Sequence, residues 1–208
     1  MWPNCLLPER AARLSALLLV CAMTACAVIA PPKEGDVRGS MWEARQLRLA
    51  ALERWRLQGR VGIETSQDSG SATLTWEQEG EDYAMRIMAP LAQGTFELKG
   101  DPGRVTLRGP DNQTTTAADP QELMQEKLGW SLPVAGLKYW VRGIPVPGRP
   151  VTQIRIDAAG RLLDLHQDGW RISISRYAQV GTEELPDKLY MENQPLKMRV
   201  VIGAWQLR

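Results

Sequence analysis

Cysteine, histidine and an excess of charge are all scarce in this chain, and each scarcity excludes a class of protein. The three cysteines lie within the first 26 of the 208 residues, so the rest of the chain contains neither a disulfide framework nor a cysteine-based metal site. Lys and Arg number 25 against 24 Asp and Glu, and no long basic run is present that could bind a phosphate backbone. We therefore expect no nucleic acid partner.

Catalytic motifs are equally scarce. The only histidine, His166, shares a face with Asp164 in an alternating segment and points away from Leu163 and Leu165, which predicts a solvent-facing position. Any Ser-His-Asp or histidine-metal scheme would depend on this one residue. The sequence also has no G-x-S-x-G motif, no glycine-rich phosphate loop and no cluster with metal-ligand spacing. We expect no enzymatic activity, no metal and no cofactor.

The N-terminal segment has the pattern of an export signal. Arg10 and Arg13 precede an apolar stretch at 14–25, and a small residue stands directly before Cys26. Residues 23–26, Met-Thr-Ala-Cys, are similar to a bacterial lipobox, in which cleavage exposes a cysteine that carries acyl chains. We predict that residues 1–25 are removed as a lipoprotein signal peptide and that Cys26 is acylated.

An uncleaved membrane anchor is the alternative. Apolar residues continue beyond Cys26, and the run at 14–30 is at the short edge of what can span a hydrocarbon core of ~30 Å. Cleavage is favoured because an anchor has no use for a cysteine at this boundary. The Pro-Pro-Lys-Glu-Gly-Asp segment that follows is typical of a flexible tether. We therefore assign residues 26–39 to an acylated cysteine and its tether.

Residues 40–208 are predicted to form one domain. Ser40 and Glu43 have the spacing of a capping box and precede a predicted helix at 41–52. From 55 to 118 apolar and polar residues alternate between turn signals, which predicts about six short antiparallel strands. Two short helices are predicted next, the first beginning at Pro120 behind the cap Asp119 and the second spanning 133–143. Alternation then resumes for about five strands, and the pair Asp168-Gly169 between two of them predicts a tight hairpin.

About eleven antiparallel strands are more than a flat open sheet holds without curling. The predicted fold class is therefore mainly β: an incomplete antiparallel β-barrel of about eleven strands, with an N-terminal helix and short helices that form a lid. Large side chains are too few to fill such a barrel, so we expect an apolar cavity beneath the lid. The candidate cavity residues are Leu74, Trp76, Met85, Ile87, Phe96, Leu107, Leu137, Trp140 and Val141. The alternative is that they only pack a core.

One apolar turn has no obvious core to join. Leu91 follows Pro90 in the short connection between two predicted strands. A hydrophobic side chain at the tip of a turn is typical of a membrane or ligand contact, although single exposed leucines are common in soluble proteins. We predict that Pro90 and Leu91 form a membrane-insertion loop.

Several short motifs occur in a fixed order along the mature chain. They are Ser71-Ala72-x-Leu74-x-Trp76-x-Gln78, Pro90-Leu91, Leu128-Gly129-Trp130-x-Leu132-Pro133-Val134, Leu137-x-Tyr139-Trp140-Val141-Arg142-Gly143-x-Pro145 and Gln167-x-Gly169-Trp170-x-Ile172. Their order and spacing, together with the lipobox, resemble those of the outer-membrane lipoprotein receptor family LolB. One departure is Ala92, since the family often has glycine after its Pro-Leu pair.

The resemblance implies a function and a location. Members of this family accept lipoproteins from the periplasmic carrier LolA, so the implied partners are that carrier, acylated lipoprotein cargo and the inner leaflet of the outer membrane. The implied location is the periplasmic face of the outer membrane, with Cys26 as the lipid anchor, and we expect a monomer. The alternative function is a structural or scaffolding outer-membrane lipoprotein whose barrel is filled.

Overall fold

The alternation of apolar and polar residues produces one antiparallel sheet of eleven strands in the computed structural model, which describes residues 34–66, 68–89, 94–128 and 133–208. The strands are β1 (Arg54–Glu64), β2 (Ser69–Glu79), β3 (Asp82–Ala89), β4 (Gly94–Asp101), β5 (Arg104–Arg108), β6 (Thr114–Ala117), β7 (Val151–Ile156), β8 (Leu162–Gln167), β9 (Trp170–Val180), β10 (Glu183–Asn193) and β11 (Leu196–Leu207). The helices are α1 (Glu34–Ala50), α2 (Pro120–Leu128) and α3 (Val134–Trp140). Cys26, Pro90 and Leu91 lie outside the described residues.

The strands follow each other around the sheet in the order β6-β5-β4-β3-β2-β1-β11-β10-β9-β8-β7. Almost every neighbouring pair of strands is a hairpin. The exception is the pair β1 and β11, which joins the half formed by β1–β6 to the half formed by β7–β11, with Glu64 opposite Lys197. Between β8 and β9, Asp168 and Gly169 both have positive φ, as the predicted Asp-Gly hairpin requires. The two edge strands, β6 and β7, do not pair with each other. The prediction of an incomplete barrel of about eleven strands is therefore confirmed.

Tryptophan side chains fill the core at one end of this curved sheet. The ring of Trp55 lies 4.9 Å from that of Trp76 and 5.4 Å from that of Trp205. Inward-facing side chains of β1 and β2 alternate with exposed ones, and the buried set includes Leu57, which has no exposed surface. The cluster of Trp55, Trp76 and Trp205 therefore fills the closed end of the barrel.

Helix α1 lies across the closed end. Leu49 packs there with Ile144 and Leu185, and all three are almost fully buried. The helix begins at Glu34, so the predicted helix start at Ser40 is wrong, and residues 34–39, assigned to the tether, are helical. The pattern did not indicate a helix at 34–39, because these residues carry mixed charges and no apolar stripe. No helix in the described part of the chain is long and apolar enough to cross a bilayer.

The two short helices follow β6 as predicted. The carboxylate Oδ1 of Asp119 accepts a hydrogen bond of 2.7 Å from the backbone N–H of Gln121, and Pro120 occupies the first position of α2. This confirms the predicted cap, which supplies one of the acceptors that the start of a helix lacks. Helix α3 is shorter than predicted, since it ends at Trp140 and Val141 is its C-terminal cap.

Candidate functional site

A cavity of about 1260 Å³ opens at the end of the barrel opposite α1. Its mouth is bordered by the β1–β2, β8–β9 and β10–β11 turns, at Asp68, Asp168 and Gln194. Pockets for drug-sized ligands usually measure roughly 300–1,000 Å³, so this space exceeds what a compact metabolite needs. β3 ends and β4 begins at the same end, where Ala89 pairs with Gly94.

Apolar side chains from both halves of the sheet form the cavity wall. The wall residues from the first half are Val61, Ile63, Ala72, Ile87, Phe96, Leu98 and Leu107. Trp170 and Leu196 face them from the second half, and Met124 of α2 covers one side. A wall of this composition binds hydrocarbon through the hydrophobic effect and offers few polar groups that would fix the position of a polar ligand.

The candidate cavity residues divide into two groups. Ile87, Phe96 and Leu107 lie in the cavity wall. The other six are packed in the core cluster and are not among the wall residues: Leu74, Trp76, Met85, Leu137, Trp140 and Val141. The strand pattern gives the inward face correctly for both groups but does not give the depth at which side chains stop filling the barrel.

Small residues near the mouth keep the cavity open. A Cβ atom placed on Gly70 would have no atom within 4 Å, and the neighbouring inward position on β2 is Ala72. Deeper in the barrel, by contrast, the ring of Tyr83 covers Gly100 closely. Burial of that phenol raises the pKa of Tyr83 to about 12, and the nearby charge of Asp101 contributes. The sequence analysis missed Gly70, although glycine at an inward strand position signals space or close approach.

The rim of the mouth is polar. Thr65, Asp68, Gln121, Gln125 and Asn193 all border the opening. The guanidinium of Arg149 lies 3.8 Å from the carboxylate of Asp168 across the rim, and both side chains are partly exposed to solvent. Exposed ion pairs of this kind contribute little to stability. The rim therefore keeps the mouth hydrated and leaves the apolar wall as the main binding surface.

Gln167 fixes helix α3 to the sheet. Its Oε1 accepts hydrogen bonds from the indole N–H of Trp140 at 3.0 Å and from the backbone N–H of Val146 at 2.8 Å. Its Nε2 donates to the carbonyl groups of Val146 and Arg149. Gln167 is almost fully buried, so these bonds satisfy polar groups that water does not reach. The sequence analysis missed it, although the alternation of β8 places it on the inward face.

Arg142 ties the same, C-terminal end of α3 to the end of helix α1. Its Nη1 donates to the carbonyl oxygens of Leu49 at 2.6 Å and Leu52 at 2.9 Å, and its Nε donates to that of Lys138 at 2.7 Å. Burial lowers the pKa of Arg142, partly offset by the nearby Tyr139 and Glu81. A cation here also opposes the partial negative charge at the C-terminal ends of both helices.

Arg45 is a second inward-facing cation at the closed end. Its Nη2 donates to the carbonyl oxygen of Glu184, and its guanidinium lies 5.3 Å from the centre of the Tyr177 ring. Burial lowers the pKa of Arg45, and the nearby Tyr177, Glu184 and Glu183 partly oppose that shift. Neither Arg45 nor Arg142 was identified from sequence, because their acceptors are backbone carbonyls that lie far away along the chain.

The outward face of β8 and β9 shows no catalytic arrangement. The Nε2 atom of His166 accepts a hydrogen bond of 3.1 Å from Nε of Arg171. Asp164 accepts from Ser173 at 2.7 Å and from Arg155, so the serine and the histidine do not meet. Among the described residues, no group of three His, Cys, Asp or Glu side chains could hold a metal ion.

Comparisons with known proteins agree with this geometry. A family model described as Outer membrane lipoprotein LolB matches residues 53–205. The chain is 40% identical over 196 residues to "Outer-membrane lipoprotein LolB" of Nitrosococcus oceani, covering 94% of this chain and 98% of that protein. The protein of the same name from Pseudomonas aeruginosa is 39% identical over 84% of this chain and 85% of its own length.

The fold also has a counterpart among solved structures. A LolA superfamily protein from Nitrosomonas europaea superimposes with a TM-score of 0.54, covering 82% of this chain and 93% of that one. The two sequences are only 8% identical, so the likeness concerns the fold alone. The overall fold is therefore shared by two proteins whose sequences differ widely.

Proposed function

Because this chain belongs to the LolB family of outer-membrane lipoproteins, we propose that it takes lipoproteins from the periplasmic carrier LolA and inserts them into the outer membrane. The family places the protein itself at the outer membrane as a lipid-anchored component of lipoprotein localisation. The finer steps, which are acceptance from LolA and delivery to the inner leaflet, belong to the proposal. It assigns no catalytic step to any residue.

The observation that carries the proposal is the apolar cavity at the open end of the barrel. Each buried CH₂ is worth about 0.8 kcal/mol, so several acyl chains hold a lipoprotein in its membrane by tens of kcal/mol. Transfer through water needs a protein that covers the chains, and the sequence has no nucleotide-binding motif to drive release. The receptor must therefore bind chains more tightly than the carrier does and less favourably than a bilayer does.

A filled structural barrel fits the observations less well. Such a barrel would place large side chains where Gly70 and Ala72 stand, and it would not leave about 1260 Å³ unoccupied. Fluorescent acyl probes separate the two functions directly. Saturable probe binding that lipoprotein competes away supports the receptor, whereas a folded protein that binds no probe contradicts it.

Two glycines at the mouth give a matched pair of variants for this experiment. Gly70→Trp places an indole into the open space and should weaken probe binding with little effect on folding. Gly62→Trp, on the outward face of the neighbouring strand, has only ordinary contacts near its Cβ and should bind like the wild type. Equal binding by both variants would mean that the probe binds elsewhere.

Cys26 is proposed as the acylated first residue of the mature protein. Cys26→Ala should give a soluble or uncleaved product that incorporates no labelled palmitate. Palmitate incorporation by this variant would contradict the assignment. If the soluble product still accepts cargo, the anchor determines location and not binding.

Leu91 is proposed to insert into the membrane during delivery. An apolar side chain that enters the interface gains roughly 1.5–3 kcal/mol, which is weak enough to be reversible. Leu91→Glu should leave folding and uptake from LolA intact but strongly reduce delivery to liposomes, while Leu91→Phe should be tolerated. Delivery by Leu91→Glu at the wild-type rate would rule out an insertion role.

A further inference from the structure

The cavity is shallow. On β1, the open space extends from Thr65 at the mouth to Val61, which is four residues along the strand, or about 13 Å at ~3.3 Å per residue. On β4 the deepest wall residue is Leu98, also four residues from the start of that strand. Measured along the strands, the described walls therefore extend about 13 Å inward from the mouth.

The cavity is also wide. A volume of about 1260 Å³ over a depth of about 13 Å gives a mean cross-section on the order of 100 Å². Carbon atoms of neighbouring hydrocarbon chains pack about 4 Å apart, so two or more chains fit side by side. The depth of the cavity, and not its width, therefore limits how much of an acyl chain it can hold.

On β2 and β3, the cavity wall ends above two core side chains. The next inward-facing residue below Ala72 is Leu74, and the next below Ile87 is Met85. Leu74 and Met85 keep 8% and 6% of their surface exposed, although both belong to the core cluster. We call this pair the cavity floor.

The cavity floor rests on a layer that is held in place. Trp76 is paired across the strands with Met85, and its indole N–H donates to Oε1 of Gln78 at 3.0 Å. Gln78 in turn donates to the carbonyl groups of Gly80 at 2.9 Å and Asp82 at 3.1 Å in the β2–β3 turn. Movement of Trp76 would break this buried chain of hydrogen bonds, so the floor has a stiff support.

From this geometry we propose that the cavity buries only about the terminal eleven carbons of each acyl chain, and that Met85 and Leu74 set this limit. An extended chain advances about 1.2 Å per bond, since three backbone bonds span ~3.3–3.6 Å, and about 13 Å holds about eleven bonds. Chains that fill one leaflet of a ~30 Å hydrocarbon core extend about 15 Å, so their polar ends remain at the rim. The inference rests on the proposed acyl-binding function and specifies its substrate: several chains, each held over part of its length.

Saturated fatty acids of increasing length test the limit by displacement of a fluorescent acyl probe below their critical micelle concentrations. Affinity for the full-length protein should rise about fourfold per added CH₂ and become constant near about eleven carbons. Met85→Ala should move this plateau to longer chains by about two or three carbons. Met88→Ala is the matched control, because Met88 is 40% exposed on the outward face of the same strand. Leu74→Ala tests the other half of the cavity floor if the first variant does not fold.

The outcomes separate the inference from the proposed function. Wild-type affinity that keeps rising fourfold per CH₂ up to about sixteen carbons would overturn the length limit alone. A wild-type plateau that neither folded Met85→Ala nor folded Leu74→Ala displaces would overturn the role of the floor. Absence of saturable binding at any chain length would overturn the inference together with the proposed function.

Discussion

Helices α2 and α3 are similar in length and order along the chain but are held to the sheet in opposite ways. Gln167 binds α3 through Trp140, and Arg142 ties its C-terminal end to α1. In α2 the described buried side chains are Leu123 and Met124, and among the described residues its polar side chains form no hydrogen bond or ion pair with any strand. One part of the lid is therefore held by buried hydrogen bonds and the other by apolar packing, and we expect α2 to move when acyl chains enter.

Among the side chains that hold α3 by hydrogen bonds, the largest expected effect is at Gln167. Gln167→Leu removes one acceptor and one donor group that together serve three residues, and it leaves buried polar groups without partners. Each buried unsatisfied group costs about 1–3 kcal/mol, so the free energy of unfolding should fall by roughly 2–4 kcal/mol in urea titrations. Gln125→Leu on the exposed side of α2 is the control and should change it by less than about 0.5 kcal/mol. Equal losses would mean that α3 is no better fixed than α2.

Arg142 should give the next largest effect. Arg142→Met keeps the length of the side chain but leaves the carbonyl groups of Leu49 and Leu52 without their donor. We expect a loss of about 2–3 kcal/mol in unfolding free energy, since hydrogen bonds to charged groups contribute roughly 1.5–3 kcal/mol and the cost of burying the cation is removed as well. Hydrogen exchange should become faster in both α1 and α3. Faster exchange in α3 alone would show that the two helices are not coupled through this residue.

Truncation of one buried leucine in each helix compares how strongly α2 and α3 are attached. Leu123 of α2 and Leu137 of α3 are both buried, and truncation of a buried leucine usually costs 2–5 kcal/mol. Leu137→Ala should show a cost of about that size. Leu123→Ala should cost only about 1–2 kcal/mol, because the penalty cannot exceed the free energy that docks α2. It should also speed the association of an acyl probe in stopped-flow mixing, whereas a slower association would contradict the mobile α2.

The smallest expected effect concerns acid stability near α1. Burial alone would raise the pKa of Asp157, but hydrogen bonds from Arg161 and from the backbone N–H of Ala159 outweigh burial and lower it. A carboxyl group with a lowered pKa stabilises the fold above its unfolded pKa of about 3.9, and this contribution disappears as the pH falls through the folded value. Asp157→Asn should therefore have a lower free energy of unfolding than the wild type at pH ~7. On acidification through the folded pKa, its free energy of unfolding should fall by less than that of the wild type. Urea titrations at neutral pH and at a pH below about 3.9, with exposed Asp82→Asn as control, would measure the difference.

Features that depend on neighbouring residues could be predicted from the sequence. The eleven strands, the Asp119 cap and the Asp168-Gly169 hairpin all follow from local periodicity and turn chemistry, and the structure confirms them. The start of α1 was predicted too late because the turn before Ser40 carries mixed charges and no apolar stripe.

Features that depend on where the filled core ends could not be predicted. Leu98 lines the cavity, whereas its direct cross-strand partner Met85 is packed in the core cluster. Periodicity assigns both residues to the inward face but does not say which one meets open space. Arg142 was missed for a related reason, since its acceptors on α1 are brought to it only by the folded chain.

The unpaired edges of β6 and β7 have a mechanical consequence. A closed barrel has a circumference fixed by its hydrogen-bond ladders, so widening it requires breaking at least one ladder. A sheet whose edge strands do not pair resembles a split ring, whose ends can separate while every ladder from β6 around to β7 stays intact. Cargo with bulkier chains can therefore be accommodated by elastic bending of the sheet instead of local unfolding.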